Sequence, residues 1–228
     1  METNMEKRNL KPSREELGLP RYTTLEEVIN AVTHGIGVLF AIIGTILLLE
    51  NCRRDTLTFV SVSVFGGSMI LLYLVSTLYH ALGVCEGKCV FRTMDHCTIF
   101  LLIAGTYTPI SLLCFGGAIG WTMFAIVWGV SVTGIVLNAV SVQRFRVFSM
   151  ICYIGLGWLI IFFFKPMMTC LDPVSIRDLV FGGVFYTVGA ILYGMGKKRK
   201  YIHSVWHLFV LAGSIFHYFV IYRVAVPM

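Results

Sequence analysis

The sequence predicts an all-α membrane protein, a bundle of seven transmembrane helices with its N-terminus in the cytoplasm and its C-terminus outside. The composition and the spacing of the apolar segments carry this prediction. Of the 228 residues, 57% are hydrophobic and 13% are charged, whereas about 25% are charged in a typical soluble domain. The mean hydropathy is +0.81. One integral membrane domain accounts for these values.

Seven apolar segments are each near the roughly 20 residues that a helix needs to cross about 30 Å of hydrocarbon. They cover about 26–49, 58–82, 95–114, 119–139, 147–165, 178–195 and 201–222. Residues 1–21 precede them as a polar cytoplasmic tail that we expect to add little to the fold. This tail is charged and has no apolar core, so we do not expect a cleavable signal peptide. Residues 22–228 form the transmembrane domain.

Local signals mark the start of the first helix and a bend in the third. Thr24-Leu25-Glu26-Glu27 matches a capping box, in which Thr24 is the cap and Glu27 lies three residues later. Pro109 should kink the third span, because proline lacks the N–H group that a helix interior needs.

The distribution of basic residues predicts the orientation. Seven spans place the two termini on opposite sides of the membrane. Thirteen of the 18 Lys and Arg residues fall on the N-terminal side, including the run Lys197–Lys200, and five fall on the other. The excess of Lys and Arg in cytoplasmic loops then places the N-terminus in the cytoplasm. The net charge of +6 thus reflects topology, and no nucleic-acid partner is expected.

The seven cysteines are scattered and odd in number. Cys97, Cys114 and Cys152 lie inside apolar segments, where we expect structural thiols. Cys85 and Cys89 have a spacing that would also suit a disulfide or a second metal ion, and the sequence leaves their role open.

Several polar residues fall at one depth of the predicted bundle. Ser76 and His80 lie in the last turns of the second span and share a face, because they are four residues apart. Asp95 begins the third span, and His203 and His207 lie in the first two turns of the seventh. All five belong to the cytoplasmic third of the bilayer, where polar side chains are costly and usually functional.

This convergence predicts a metal site. His80, His203 and His207 would provide three imidazoles and leave a fourth position for water, as in catalytic zinc sites. Zn²⁺ is the expected ion because it accepts neutral imidazole readily. Asp95 would hold or deprotonate the water, and Ser76 would hydrogen-bond to that water or to a substrate oxygen.

Other interpretations of the same residues stay open. The two histidines of the seventh span could be a packed pair without metal, and Asp95 could pair with the helix dipole or with Arg92. His34 could support the site, line a substrate cavity or only pack. His217 lies roughly 15 Å beyond His207 along the helix, so we expect it to hydrogen-bond within the bundle. His96 faces about 100° away from Asp95 on an ideal helix, and we leave it out of the site.

Three motifs resemble those of the hemolysin III proteins, which are grouped with the progestin and adipoQ receptors. They are Ser76-Thr-Leu-Tyr-His80, Phe91-Arg-Thr-Met-Asp95 and His203-Ser-Val-Trp-His207. Asn30-Ala-Val-Thr-His34-Gly35 is similar to the start of the family's first span. The resemblance extends over the chain from about residue 22.

The resemblance implies seven helices with a cytoplasmic N-terminus, and zinc held by His80, His203 and His207 with Asp95 near a bound water. Kinship with a wider group of membrane hydrolases, including alkaline ceramidases, implies hydrolysis of a lipid amide or ester. The compact chain resembles a bacterial plasma-membrane member, with a membrane lipid as substrate or ligand and no hormone partner. A non-enzymatic sensor with structural zinc, or a lytic protein, is the alternative. The oligomeric state is left open.

Overall fold

A computed structural model describes residues 12–195 and 200–227, and within these ranges all regular structure is helical, which confirms the all-α prediction. Six segments are long and apolar enough to cross a membrane. The elements are α1 (Thr24–Asn51), α2 (Thr56–Ala81), α3 (Glu86–Pro109), a π-helical stretch (Ile110–Phe115), α4 (Gly117–Gly157), a 3₁₀ turn (Leu159–Phe163), α5 (Phe164–Cys170), α6 (Pro173–Met195) and α7 (Ile202–Ala225).

The expected fourth and fifth spans are joined in one candidate segment. Gly117–Cys170 is 54 residues long, and the loop expected between the two spans is helical on both sides of a single break. At this break Ser141 has extended backbone angles, with φ −165° and ψ 104°. Six candidate segments are found instead of seven because α4 continues directly after Ser141 without a loop. The hydropathy pattern does not reveal this continuation.

Two helix starts differ from the sequence prediction. Thr23, not Thr24, caps α1, and its capping-box partner is Glu26, not Glu27. The box is thus shifted by one residue, which leaves the Glu27 carboxylate free for other contacts. The third span begins at Glu86, so Asp95 lies more than two turns inside α3 and not in its first turn. The start is earlier because Lys88 is buried against the end of α2, where it donates to the Leu82 carbonyl at 2.8 Å.

The helices pack in chain order from α1 to α4, and α7 packs against both α6 and α1. One apolar cluster joins α1, α2 and α7, with Tyr73 at its centre. The Tyr73 hydroxyl donates to Ser214 Oγ at 2.6 Å and so links α2 to α7. A second cluster, around Phe100 and Met123, joins α3 to α4. This arrangement brings the end of α2 and the start of α7 to the same end of the bundle.

Two adjacent glycines of α2 offer a test of this packing. A methyl group at Gly66 would overlap the side chain of Thr45 on α1, whereas one at Gly67 would meet no atom within 4 Å. We expect Gly66→Ala to lower the free energy of unfolding by about 1–3 kcal/mol, as overpacking does. Gly67→Ala is the matched control and should leave stability unchanged or slightly raised. Thermal unfolding in detergent measures both, and equal melting temperatures would contradict the close approach of α1 and α2.

Part of the N-terminal tail packs on the bundle, although we expected the tail to contribute little. A turn near Gly18 is held by Arg92, which donates to the Gly18 carbonyl at 2.8 Å. Leu19 is buried, and Arg14 pairs with Glu27 at 2.8 Å. This segment thus covers one end of the bundle. Residues 197–199 of the basic run lie outside the described residues.

Cys114 and Cys170 form a disulfide, with their Cα atoms 5.6 Å apart. The prediction of a structural thiol at Cys114 was therefore wrong. Cys170 reaches it only because the short α5 turns back toward the π-helical stretch, a tertiary feature that the cysteine spacing does not indicate. Cys85, Cys89, Cys97 and Cys152 are free.

Candidate metal centre

Three histidines from two helices meet inside the bundle. His80 comes from the last turn of α2, and His203 and His207 come from the first two turns of α7. His203 Nε2 lies 3.3 Å from His80 Nε2 and 3.2 Å from His207 Nε2. All three side chains are buried, and one ligand atom from each lies within 4.8 Å of the others. The structure thus brings together the three histidines that the sequence predicts as metal ligands.

In His80 and His207, a contact at Nδ1 leaves the lone pair of Nε2 directed toward the place where the three rings meet. Glu27 Oε2 lies 2.7 Å from His80 Nδ1, so the proton of a neutral His80 ring belongs on Nδ1. The Thr33 hydroxyl donates to backbone carbonyls of its own helix. It can therefore only accept from His207 Nδ1, 3.4 Å away. Both rings then present unprotonated Nε2 atoms, as a metal requires. The donor set fits a divalent cation that prefers imidazole.

The group of metal-ligand atoms contains neither Asp95 nor Ser76. Asp95 is buried and lines a cavity together with His34 and His96. No ion pair joins Asp95 to Arg92 among the described residues, because Arg92 turns to the N-terminal segment. Ser76 Oγ is buried and has no hydrogen-bond partner within residues 12–195 and 200–227. Asp95 is thus available to a molecule in the cavity, and the Ser76 hydroxyl is left with unused hydrogen-bonding capacity.

His96 lies close to Asp95. Its Nδ1 atom is 3.8 Å from Asp95 Oδ2, and both residues line the cavity. The two residues are neighbours on α3, about 100° apart around its axis, and His96 does not belong to the group of three metal-ligand histidines.

His34 and His217 lie outside the group of ligands. The His34 ring stacks on His207, with 3.6 Å between centroids, and its two nitrogens have no hydrogen-bond partner in the described part of the chain. It supports the orientation of His207 and also lines the cavity. His217 lies 3.3 Å from the Leu179 carbonyl through Nε2, which confirms the expected hydrogen bond within the bundle.

Tyr22 covers the metal centre from the N-terminal side. Its ring stacks on His203 with a centroid distance of 5.0 Å. Desolvation by burial raises the pKa of the Tyr22 phenol well above its usual range. The ring therefore stays neutral next to the three imidazoles.

A cavity of about 450 Å³ lies next to His34, the ring that stacks on His207. Asp95 and His96 line it together with His34, and the rest of the lining comes mainly from apolar side chains of α3, α4, α6 and α7. Ile154 on α4 and Val180 on α6 belong to the lining and are also exposed on the outer surface of the helices. The cavity thus reaches the face that would meet lipid, between α4 and α6.

The model of the family described as Haemolysin-III related matches residues 22–218. The chain belongs to this family. It is 41% identical over 204 residues to Hemolysin-3 of Bacillus cereus, with 89% of this chain and 93% of that protein covered. It is 40% identical over 210 residues to the Hemolysin-3 homolog of Bacillus subtilis (strain 168), covering 90% and 98%. The human monocyte to macrophage differentiation factor is 25% identical over 211 residues, covering 88% and 85%. These similarities confirm the resemblance drawn from the motifs.

Sequence reasoning missed three residues at the centre of this haemolysin-III-related protein. Glu27 was assigned to the capping box, Lys88 only to the basic loops, and Tyr22 to no role. The i, i+3, i+7 spacing of Glu27, Asn30 and His34 places them on one face of α1. That face is the signal that would have pointed to Glu27.

Proposed function

We propose that this protein is a zinc-dependent membrane hydrolase that cleaves a lipid amide or ester near the cytoplasmic face. One observation carries the proposal: three buried imidazoles converge, and His34, whose ring stacks on one of them, lines a cavity of about 450 Å³ together with Asp95. A carboxylate next to a three-histidine group with room for a substrate is the arrangement of a catalytic metal site.

Each of the polar residues has its own part in the proposed hydrolysis. His80, His203 and His207 would hold Zn²⁺, which supplies Lewis acidity and activates water. Asp95 accepts the proton that water loses as its oxygen bonds to the carbonyl carbon, and returns it to the leaving amine or alcohol. The Ser76 hydroxyl donates a hydrogen bond to the carbonyl oxygen as negative charge develops there.

The shape of the cavity supports a lipid as the substrate. Its mainly apolar lining suits an acyl chain, and Asp95 and His96 supply polar groups beside His34. A lipid that enters laterally between α4 and α6 would place its amide or ester group beside these polar groups, with the chain directed toward His217.

Turnover assays on detergent-purified protein test this function. A panel of lipid amides and esters is incubated with the protein as purified, after chelation, and after reloading with Zn²⁺. We expect turnover of at least one class, lost on chelation and restored by zinc. Failure of the fully zinc-loaded protein to turn over any member of the panel would contradict the hydrolase.

The second candidate is a non-enzymatic membrane sensor in which zinc is structural. It is favoured by the fact that the three histidines tie α2 to α7, two helices far apart in sequence, since such an ion stabilises the fold directly. Under this alternative, chelation lowers the melting temperature and Asp95→Asn changes no phenotype. The similarity to Hemolysin-3 of Bacillus cereus also calls for a dye-release control with liposomes, which tests direct lysis.

Seven membrane crossings and a bacterial plasma-membrane location belong to the same proposal. The break at Ser141 divides the 54-residue segment into two parts, each long enough to supply the roughly 20 residues that one crossing needs. Cys114 lies 19 residues beyond Asp95, about 28 Å along a helix, so the disulfide lies at the end opposite the metal centre. Disulfides persist in oxidising compartments, which supports an outward-facing position for this end.

Thiol labelling in intact cells tests the orientation. We expect a membrane-impermeant maleimide to label Cys114 and Cys170 only after reduction with an impermeant reductant, because both lie outside. Cys85 and Cys89 should stay unlabelled until the cells are opened. A Cys114→Ser/Cys170→Ser variant controls for reaction at other thiols. Labelling of Cys85 and Cys89 in intact cells would instead indicate that the N-terminus lies outside the cell.

A further inference from the structure

Glu27 contacts both a predicted metal ligand and two cations. Its Oε2 atom lies 2.7 Å from His80 Nδ1. Its Oε1 atom lies 2.8 Å from Arg14 Nη2 and 3.0 Å from Lys88 Nζ. The two cations thus share one oxygen, while the other oxygen is left to the imidazole. We propose that Glu27 is a positioning residue, held by Lys88 and Arg14, that orients His80 for metal binding.

Lys88 is fully buried, and its three donors all have partners. Nζ donates at 2.8 Å to the carbonyls of Tyr79 and Leu82 and lies 3.0 Å from Glu27. An ammonium group has three N–H bonds, so its hydrogen-bonding capacity is used completely. The two carbonyls belong to the end of the helix that carries His80, where a cation is favoured by the helix dipole. Lys88 therefore fixes the position of Glu27 relative to the backbone around His80.

The charges explain why this carboxylate can stay ionised away from water. A buried charge is costly unless it is paired, and Glu27 has two cationic partners. An ionised carboxylate can only accept, so it holds the proton of His80 on Nδ1 and fixes the ring in one orientation. The neighbouring Glu26 does not take part, because it bonds to Thr23 and to the backbone N–H of Tyr201.

If Glu27 were only part of a structural ion pair, its substitution would change stability and not zinc affinity. Two variants separate this structural role from the positioning role. Glu27→Gln removes the charge, and the amide no longer selects the Nδ1–H form of His80. Glu27→Asp keeps the negative charge but shortens the side chain by one methylene group, which draws the carboxylate back from His80 Nδ1. We expect zinc affinity to fall about 10- to 100-fold in both variants, as when a hydrogen-bond partner of a metal ligand is removed. Glu50→Gln, at the exposed far end of the same helix, is the matched control and should bind zinc as wild type does.

The double variant Glu27→Gln/Lys88→Met removes the buried negative charge and its inner cation together. We expect its melting temperature to exceed that of Lys88→Met, because no carboxylate is left short of a partner. Its zinc affinity should stay as weak as that of Glu27→Gln. Stability and metal affinity would then respond separately, which a structural role does not predict.

Zinc affinity is measured by competition with a chromophoric chelator on detergent-purified protein, with thermal unfolding of the same samples. Affinity of Glu27→Asp or Glu27→Gln within about twofold of wild type would overturn the inference. Recovery of wild-type affinity in the double variant would also overturn it. The inference rests on the metal centre of the proposed function but uses no turnover assay. If wild type binds zinc and hydrolyses no lipid, only the hydrolase fails; if wild type binds no metal, both fail.

Discussion

His203→Ala is expected to release the metal completely. Its Nε2 atom is the one that lies within 3.3 Å of both other ligand atoms, so its removal leaves His80 and His207 as two separate imidazoles. Two nitrogen ligands do not complete a zinc site, which in proteins has at least three side-chain ligands. Metal content of the purified variant should fall from about one ion per chain to near zero.

His217→Ala is the matched control, because it removes an imidazole from the same helix at the far end of the cavity. It should keep its metal. Circular dichroism on both variants checks that the helices persist. A full complement of metal in folded His203→Ala would contradict the three-histidine site, and its loss in His217→Ala as well would indicate a general effect of unfolding.

Asp95→Asn is expected to abolish hydrolysis while the metal stays bound. The carboxylate is not one of the ligand atoms that converge, so zinc content should equal that of wild type. The amide cannot accept the proton that water loses, and general-base catalysis contributes about 10²- to 10⁴-fold. We expect kcat/KM on the best substrate of the panel to fall by that factor.

Ser76→Ala should have a smaller effect on the same substrate, because one hydrogen bond to the oxyanion contributes about 10²- to 10³-fold at most. His96→Ala tests whether the neighbour of Asp95 matters and should retain most of the activity. Unchanged turnover in Asp95→Asn would contradict the role of this carboxylate and favour the structural interpretation of the metal.

The sequence was sufficient to predict the three histidines, because helical periodicity and depth in the membrane are local properties. Residues four apart share a face in any α-helix, and hydropathy places the end of α2 at the same depth in the membrane as the start of α7. The third span illustrates the limit. Its polar first turns are helical because Lys88 meets the carbonyls of another helix, and no local signal reports such a contact.

Other features depended on single residues whose partners are distant in sequence. The capping box moved by one residue from Thr24 to Thr23, and this shift decides whether Glu27 caps a helix or faces His80. The break at Ser141 occurs without proline or glycine at that position. Cys114 and Cys170 are 56 residues apart. Each of these outcomes is set by tertiary packing, which overrides local propensity.

Metal analysis by mass spectrometry on detergent-purified wild-type protein tests the central claim most directly. The account predicts about one zinc ion per chain that survives extensive dialysis, because three buried imidazoles hold it. Absence of any stoichiometric metal, or a mixture of ions that dialysis removes, would contradict it. The three residues His80, His203 and His207 would then form a packed polar cluster. The proposed hydrolase would lack its catalytic metal.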